Sequence, residues 1–333
     1  MELILHIGMG KTGTTSIQKA IRENAESLRA QGVDYLGMLF DLIDPELNSN
    51  DLQRTFFASS VERPDAVADL FLDALQQKQA SSGIPRFLLS NESLLQQHRT
   101  LIPFISSLRQ KVAVRLIAYV RDPRDWLPSA YNQWFVYHKT CSGPLPSYVE
   151  GGRKLLEMYD DLHAWHREYS DIMTVRSFSK SDNVVLDFAD VLGVTMRVPE
   201  GRSLERLETS ESLLRAIYNT RLPEQALPDL FNHAFRQLDF TRSPKIADLV
   251  QSSFTYTQTE AIVAEKAGTF EELKKHLGID LLSGPAPGHK TVDTEEMRHR
   301  ALDHVLQIVM QQADRITHLE HLVRTLEAGK QDK

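Results

Sequence analysis

The chain has 333 residues, enough to bury a sizeable core as one large α/β domain or two smaller ones. Lys and Arg total 38 against 45 Asp and Glu, a net charge of −7 that argues against general nucleic-acid binding but leaves room for a local basic pocket. Cys141 is the single cysteine, which excludes an intrachain disulfide framework and a cysteine-based zinc site, and no secretory leader or apolar run of membrane-spanning length is visible, so a soluble cytoplasmic protein is expected.

Leu3 to Ile7 is an apolar run that reads as a buried strand. Gly8 to Ser16 follows as a loop of glycine, lysine and hydroxyl residues, and beyond it Ile17, Ile21 and Leu28 share one helical face with Ala20 and Ala25 beside them. Strand, glycine-rich loop and helix together aim backbone N–H groups and a helix N-terminus at an anion. Gly8 and Gly13 have the G-x-x-x-x-G spacing of a Walker A loop, but Thr14 stands where its lysine should be, and the lysine is Lys11, ahead of the second glycine.

Gly32 to Gly37 reads as a second short strand. Met38 to Pro64 lacks clean periodicity and reads as an irregular insertion, either covering a site or forming a plain surface excursion. Ala66 to Gln79 is a helix with Val67, Leu70, Phe71 and Leu75 inward. The next strand, from Phe87, ends in polar residues and sets Glu92 at its carboxyl end, where open α/β sheets bind ligands. There Glu92 either accepts a proton from a bound hydroxyl or complements the dipole of a following helix; its position leaves both open.

Val112 to Val120 is a β-branched strand that delivers Arg121, and a helix carrying Trp126, Ser129, Ala130, Tyr131, Trp134 and Phe135 follows. A guanidinium at a strand end with a hydroxyl in the next helix suits a second phosphate. After a Gly/Pro loop, Leu155, Met158, Tyr159, Leu162 and Trp165 mark a helix. Asp171 to Phe178 reads as a strand, and Asp182 to Leu192 as a helix stopped by Gly193. From Glu208 the pattern is helical, punctuated by Pro223, Pro228 and Pro244. From Thr291, Leu302, Val305, Val309, Ile316, Leu319, Val323 and Leu326 follow heptad spacing with Gln312 as the one polar member, so this helix either forms a homodimer or lies along its own domain.

With both anion motifs placed, the chain resembles the sulfotransferase family that uses 3′-phosphoadenosine 5′-phosphosulfate (PAPS), and its prokaryotic, carbohydrate-type branch in particular. His6 to Ser16 is similar to the family's 5′-phosphosulfate loop, and Tyr119 to Tyr131 to its 3′-phosphate motif, an arginine followed eight positions later by serine. A weaker likeness covers Asp182 to Val194. The resemblance implies a three-layer, P-loop-like α/β core with a parallel sheet over residues 1–200. A helical lobe over 201–290 and a long terminal helix over 291–333 lie beyond it. It implies that Gly10, Lys11, Thr12, Gly13, Thr14, Thr15 and Ser16 cradle the 5′-phosphosulfate, and that Arg121 and Ser129 hold the 3′-phosphate. Lys11 would stabilise the leaving group, Glu92 would act as general base, and no metal would be needed. His6 and His138 are rival bases. The acceptor is expected to be a hydroxyl of a carbohydrate or glycolipid, with Met38–Pro64, Trp134–Thr140 and the helical lobe as candidates for lining its pocket. Trp126 or Trp134 would either stack on a sugar or fill the core. The rival readings are a P-loop kinase using ATP and Mg²⁺, with Asp122 as its metal-binding aspartate, and a non-catalytic nucleotide-binding module that works through its terminal helix.

Overall fold

The computed structural model describes residues 1–178, 183–200, 209–220, 222–233, 246–284 and 293–331. Its elements run in chain order as β1 (Glu2–His6), α1 (Thr14–Glu23), α2 (Ala25–Ala30), β2 (Val33–Gly37), α3 (Asn50–Ser59), α4 (Pro64–Ser82), β3 (Arg86–Ser90), α5 (His98–Leu108), β4 (Ala113–Val120), α6 (Pro123–Tyr131), α7 (Tyr148–Tyr169), β5 (Met173–Ser177) and α8 (Val184–Leu192). Then come α9 (Thr209–Thr220), α10 (Asp229–His233), α11 (Ile246–Ser253), α12 (Thr259–Ala264), α13 (Ala267–Leu277) and α14 (Thr294–Gln331).

The five strands form one sheet in the order β2-β3-β1-β4-β5. All its pairings are parallel. This is the expected α/β class, with helices flanking the sheet. β1 lies between β3 and β4, with His6 opposite Ser90 on one side and Ile117 on the other. Three neighbouring carboxyl ends therefore carry the glycine-rich loop, the segment leading to Glu92, and Arg121.

The chain divides into two compact units. The first comprises Met1–Ala130, Gly152–Glu205 and Thr259–Pro287 and holds the sheet. In it Ile17, Ala20 and Ile21 of α1 and Val185, Phe188, Ala189 and Leu192 of α8 bury against Ile4, Leu88, Ile117 and Tyr119 of the sheet. Each buried valine, leucine, isoleucine or phenylalanine side chain among them contributes about 1.5–3 kcal/mol. Phe40, Phe57, Phe71 and Phe104 form a second cluster with ring centroids 5.1 to 6.0 Å apart.

The second unit comprises Tyr131–Gly151, Arg206–Gln258 and Gly288–Lys333. In it Asn219 of α9 donates to the Val136 carbonyl oxygen at 2.7 Å, and Arg215 lies over the rings of Tyr137 and Phe231. Met297 and Ala301 at the start of α14 are buried, but the heptad stripe beyond them is not: Leu302, Val309, Ile316, Leu319 and Val323 are all more than half exposed.

Five local expectations change. Leu70, expected on the inner face of α4, is 56% exposed, while Val67, Phe71 and Leu75 are buried. The amphipathic run after the loop is two helices that meet at Asn24, whose backbone N–H and side-chain amide both donate to the Ala20 carbonyl. The Met38–Pro64 segment contains α3, whose N-cap Ser49 accepts from the Leu52 N–H. The helix of Trp126 does not run regularly to Phe135; it ends at Tyr131 and widens into a π-helical turn over Asn132–Tyr137. α5 carries Pro103 inside it and had no sequence counterpart. Asp182, Glu208, Pro244 and Thr291 lie outside the described residues. Among the described residues no helix is long and apolar enough to cross a membrane.

Candidate anion-binding site of the sheet unit

The loop after β1 is set by backbone conformation. Lys11 has φ of 65°, the one non-glycine residue in the left-handed region among the described residues, and Gly13 has φ of 86°. A left-handed lysine costs roughly 1–2 kcal/mol, so the surrounding bonds must hold it there. The Met9 N–H donates to the Tyr119 carbonyl, and the Thr12 hydroxyl donates to the Met9 carbonyl oxygen. A Cβ on Gly13 would stand 2.8 Å from a Val184 methyl and 3.1 Å from the Phe178 ring, so this position admits glycine on both conformational and packing grounds. Gly13 also caps α1 without a side chain, so no capping side chain stands between the first turn of α1 and the loop.

Within the loop and first turn, Thr12 and Thr14 are buried, Lys11, Gly13 and Ser16 are half-buried, and Thr15 is exposed. Gly8 and Gly10 are buried as well. A Cβ on Gly8 would meet His6 Nε2 at 2.6 Å, so the loop starts tight against that ring.

The second motif closes onto the first. Arg121 is 7 % exposed, and its guanidinium donates to the Lys11 carbonyl oxygen at 3.4 Å, lies 4.0 Å from the Asp125 carboxylate, and sits over Phe178. The Trp126 indole donates to the Gly10 carbonyl oxygen at 2.8 Å. The Tyr159 hydroxyl of α7 donates to the carbonyl of Arg121 at 2.6 Å, fixing the strand end from behind. Ser129 is half-buried on α6, eight residues past Arg121. Trp126 is fully buried, so the core reading of that residue replaces the sugar-stacking one; Trp134 and His138 belong to the second unit.

Asp122 is occupied by structure. Its carboxylate accepts from the Arg124 backbone N–H at 2.8 Å and from the Arg124 guanidinium at 2.7 Å, and its carbonyl accepts from the Trp126 N–H. It caps α6, the role a carboxylate takes ahead of a helix whose first residue is Pro123.

Glu92 opens a 3-10 helix over Glu92–Gln97 and is half-buried. Gln18 of α1 donates through its amide to Glu92 Oε2 at 2.9 Å and to the Ser90 carbonyl at 3.2 Å, linking the loop helix to the carboxylate. The neighbouring Asn91 donates to the Met38 carbonyl at 2.7 Å and to Asn50 Oδ1 at 2.8 Å, and the Ser93 hydroxyl also donates to Asn50 Oδ1. The Met38–Pro64 insertion is thus tied to the strand end that carries Glu92.

His6 is fully buried, with Nδ1 2.8 Å from the Ser90 hydroxyl and its ring against Phe188 and Tyr119. Burial pushes its pKa down to about 3, which keeps it neutral at ordinary pH. Packing and desolvation describe a structural histidine. Gln18 carries no signal in the sequence, and Tyr159 and Phe178 read there only as a helix residue and a strand end. Each acts through a tertiary contact, and none stands in a recognisable motif.

Comparison with known proteins finds no matching family model and no matching curated protein. Among solved structures, the chain is similar to a sulfotransferase domain from the curacin biosynthetic pathway. The two share 11% identity at a TM-score of 0.34, over 80% of this chain and 97% of that one.

Proposed function

We propose that the protein is a sulfotransferase that moves the sulfuryl group of PAPS to an acceptor hydroxyl, on a carbohydrate or glycolipid. The observation that carries this reading is the joining of the two anion motifs. Arg121 and Trp126 both bond carbonyls of the glycine-lysine loop, at Lys11 and Gly10. A nucleotide with phosphates at both ends of its ribose needs two cationic cradles held in one frame.

Once bound, the donor supplies an activated sulfuryl group on a phosphate leaving group. Lys11 and the N–H groups of the first turn of α1 stabilise negative charge on the bridging oxygen. Gly10, Thr12, Gly13, Thr14, Thr15 and Ser16 shape the cradle, Thr12 and Thr14 through their buried packing and backbone. Arg121 and Ser129 hold the 3′-phosphate. Glu92, steadied by Gln18, takes the proton of the acceptor hydroxyl. The kinase alternative needs Asp122 for magnesium, and that carboxylate is engaged by Arg124.

The test is calorimetric titration with 3′-phosphoadenosine 5′-phosphate (PAP) without metal, beside AMP and ATP, repeated with Arg121→Ala. Tight metal-free binding that requires the 3′-phosphate and Arg121 is the expected result. Binding of ATP only with Mg²⁺, or equal binding of PAP and AMP, overturns the reading.

A further inference from the structure

On the face of the sheet unit formed by α7 and α13, two helices converge with four metal-ligating side chains. His163 and His166 are three residues apart on α7, and Glu272 and His276 four apart on α13, so each pair shares one face of its helix. One ligand atom each from His163, Glu272 and His276 lies within 4.8 Å of the others. The His163 and His276 rings stack with centroids 5.9 Å apart, and the His166 ring is 6.5 Å from that of His276. Glu272 Oε2 is 2.9 Å from His276 Nε2.

The two helices are held in place by other contacts. Phe270 and Leu273 are buried, Phe270 packs on Tyr159 at 5.0 Å, and the Asp160 carboxylate takes both the Lys266 ammonium and the Thr269 hydroxyl. The ligand set is therefore presented by two rigid elements rather than by a loop.

We propose that His163, Glu272 and His276, with His166 as the fourth donor, bind a zinc-class divalent transition ion that braces α13 against α7. Imidazole nitrogens with one carboxylate suit zinc over magnesium or calcium, which take oxygen donors. Zinc–ligand bonds of about 2.0–2.2 Å set tetrahedral donor atoms about 3.3–3.6 Å from one another, so atoms as far apart as 4.8 Å must close by up to about 1.5 Å and the Glu272–His276 pair must open slightly, side-chain rotations within the reach of half-buried and exposed residues.

The full-length protein, stripped with chelator, is titrated with zinc chloride alone by calorimetry, with magnesium chloride as control, and its thermal midpoint is recorded with and without zinc. One zinc per chain, a raised midpoint, no response to magnesium, and at least tenfold weaker zinc binding in His276→Ala and Glu272→Gln are expected. Circular dichroism of the two variants, both altered at exposed positions, establishes that they remain folded. Absence of saturable zinc binding, or binding unchanged in both variants, overturns the proposal. No nucleotide enters the experiment, so its outcome is separate from that of the sulfotransferase reading.

Discussion

The indole nitrogen of Trp126 donates to the carbonyl oxygen of Gly10 at 2.8 Å, so the helix after β4 grips the loop after β1 by its backbone. Trp126→Phe keeps an aromatic ring in the core and removes this bond, leaving a buried carbonyl unpaired. Urea unfolding is expected to show a loss of about 1–3 kcal/mol. PAP affinity falls with it, because the loop loses a restraint. An unchanged affinity in a destabilised variant would confine Trp126 to packing.

Gly13→Ala meets two obstacles, a left-handed φ and a methyl contact 2.8 Å from the new Cβ. Thermal or urea denaturation is expected to show a loss of at least about 1 kcal/mol. Gly83→Ala, which also has a positive φ but nothing within 4 Å, is the control that separates packing from conformation.

Lys11 and Arg121 are expected to divide their labour. Lys11→Ala should lower transfer by about 10²–10³-fold, the effect of removing one charge-stabilising group, with a smaller loss of PAP binding. Arg121→Ala should weaken PAP binding itself. Glu92→Gln retains the volume and removes the base, and a fall in transfer of about 10²–10⁴-fold at unchanged PAP affinity is expected. Full activity in Glu92→Gln would move the base elsewhere.

His6 makes stability depend on pH with a known sign. Its folded pKa of about 3 lies below the value of 6.5 for the free side chain, so the unfolded chain binds the extra proton first. The contribution is complete above pH 6.5 and is lost as pH falls from there toward 3. Its slope is at most about 1.4 kcal/mol per pH unit. Unfolding free energies measured between pH 7 and pH 4 should show a shallower decline in His6→Gln than in the unaltered protein.

The exposed stripe on α14 is expected to pair with the same stripe of a second copy. Leu302, Val309, Ile316 and Val323 occupy one heptad position and Val305, Gln312 and Leu319 the other, an apolar stripe with a mostly β-branched first position and one polar member. Light scattering should find a dimer, and Ile316→Asp combined with Val323→Asp should yield a monomer that still binds PAP. Lys11→Ala should leave assembly intact, which separates an enzyme from a module working through its tail.

Much of the candidate site was legible along the chain because its parts are local. A glycine with a left-handed φ, a lysine two residues before it, and an arginine at a strand end are set by neighbours in sequence, and so were β1, β4 and α8. The sequence also carried the heptad period of α14, since periodicity survives without a partner. What it could not carry is contact at a distance. The parallel order β2-β3-β1-β4-β5 decides that Glu92, Lys11 and Arg121 leave adjacent strands. Only the fold joins Gln18 to Glu92, 74 residues apart, and Tyr159 to Arg121, 38 residues apart. The same holds for α3 and α5, whose apolar faces turn toward aromatic partners such as Phe40 and Phe71. Local propensity determined which segments could be strands, loops or helices; burial and hydrogen bonding between distant segments decided which side chains meet.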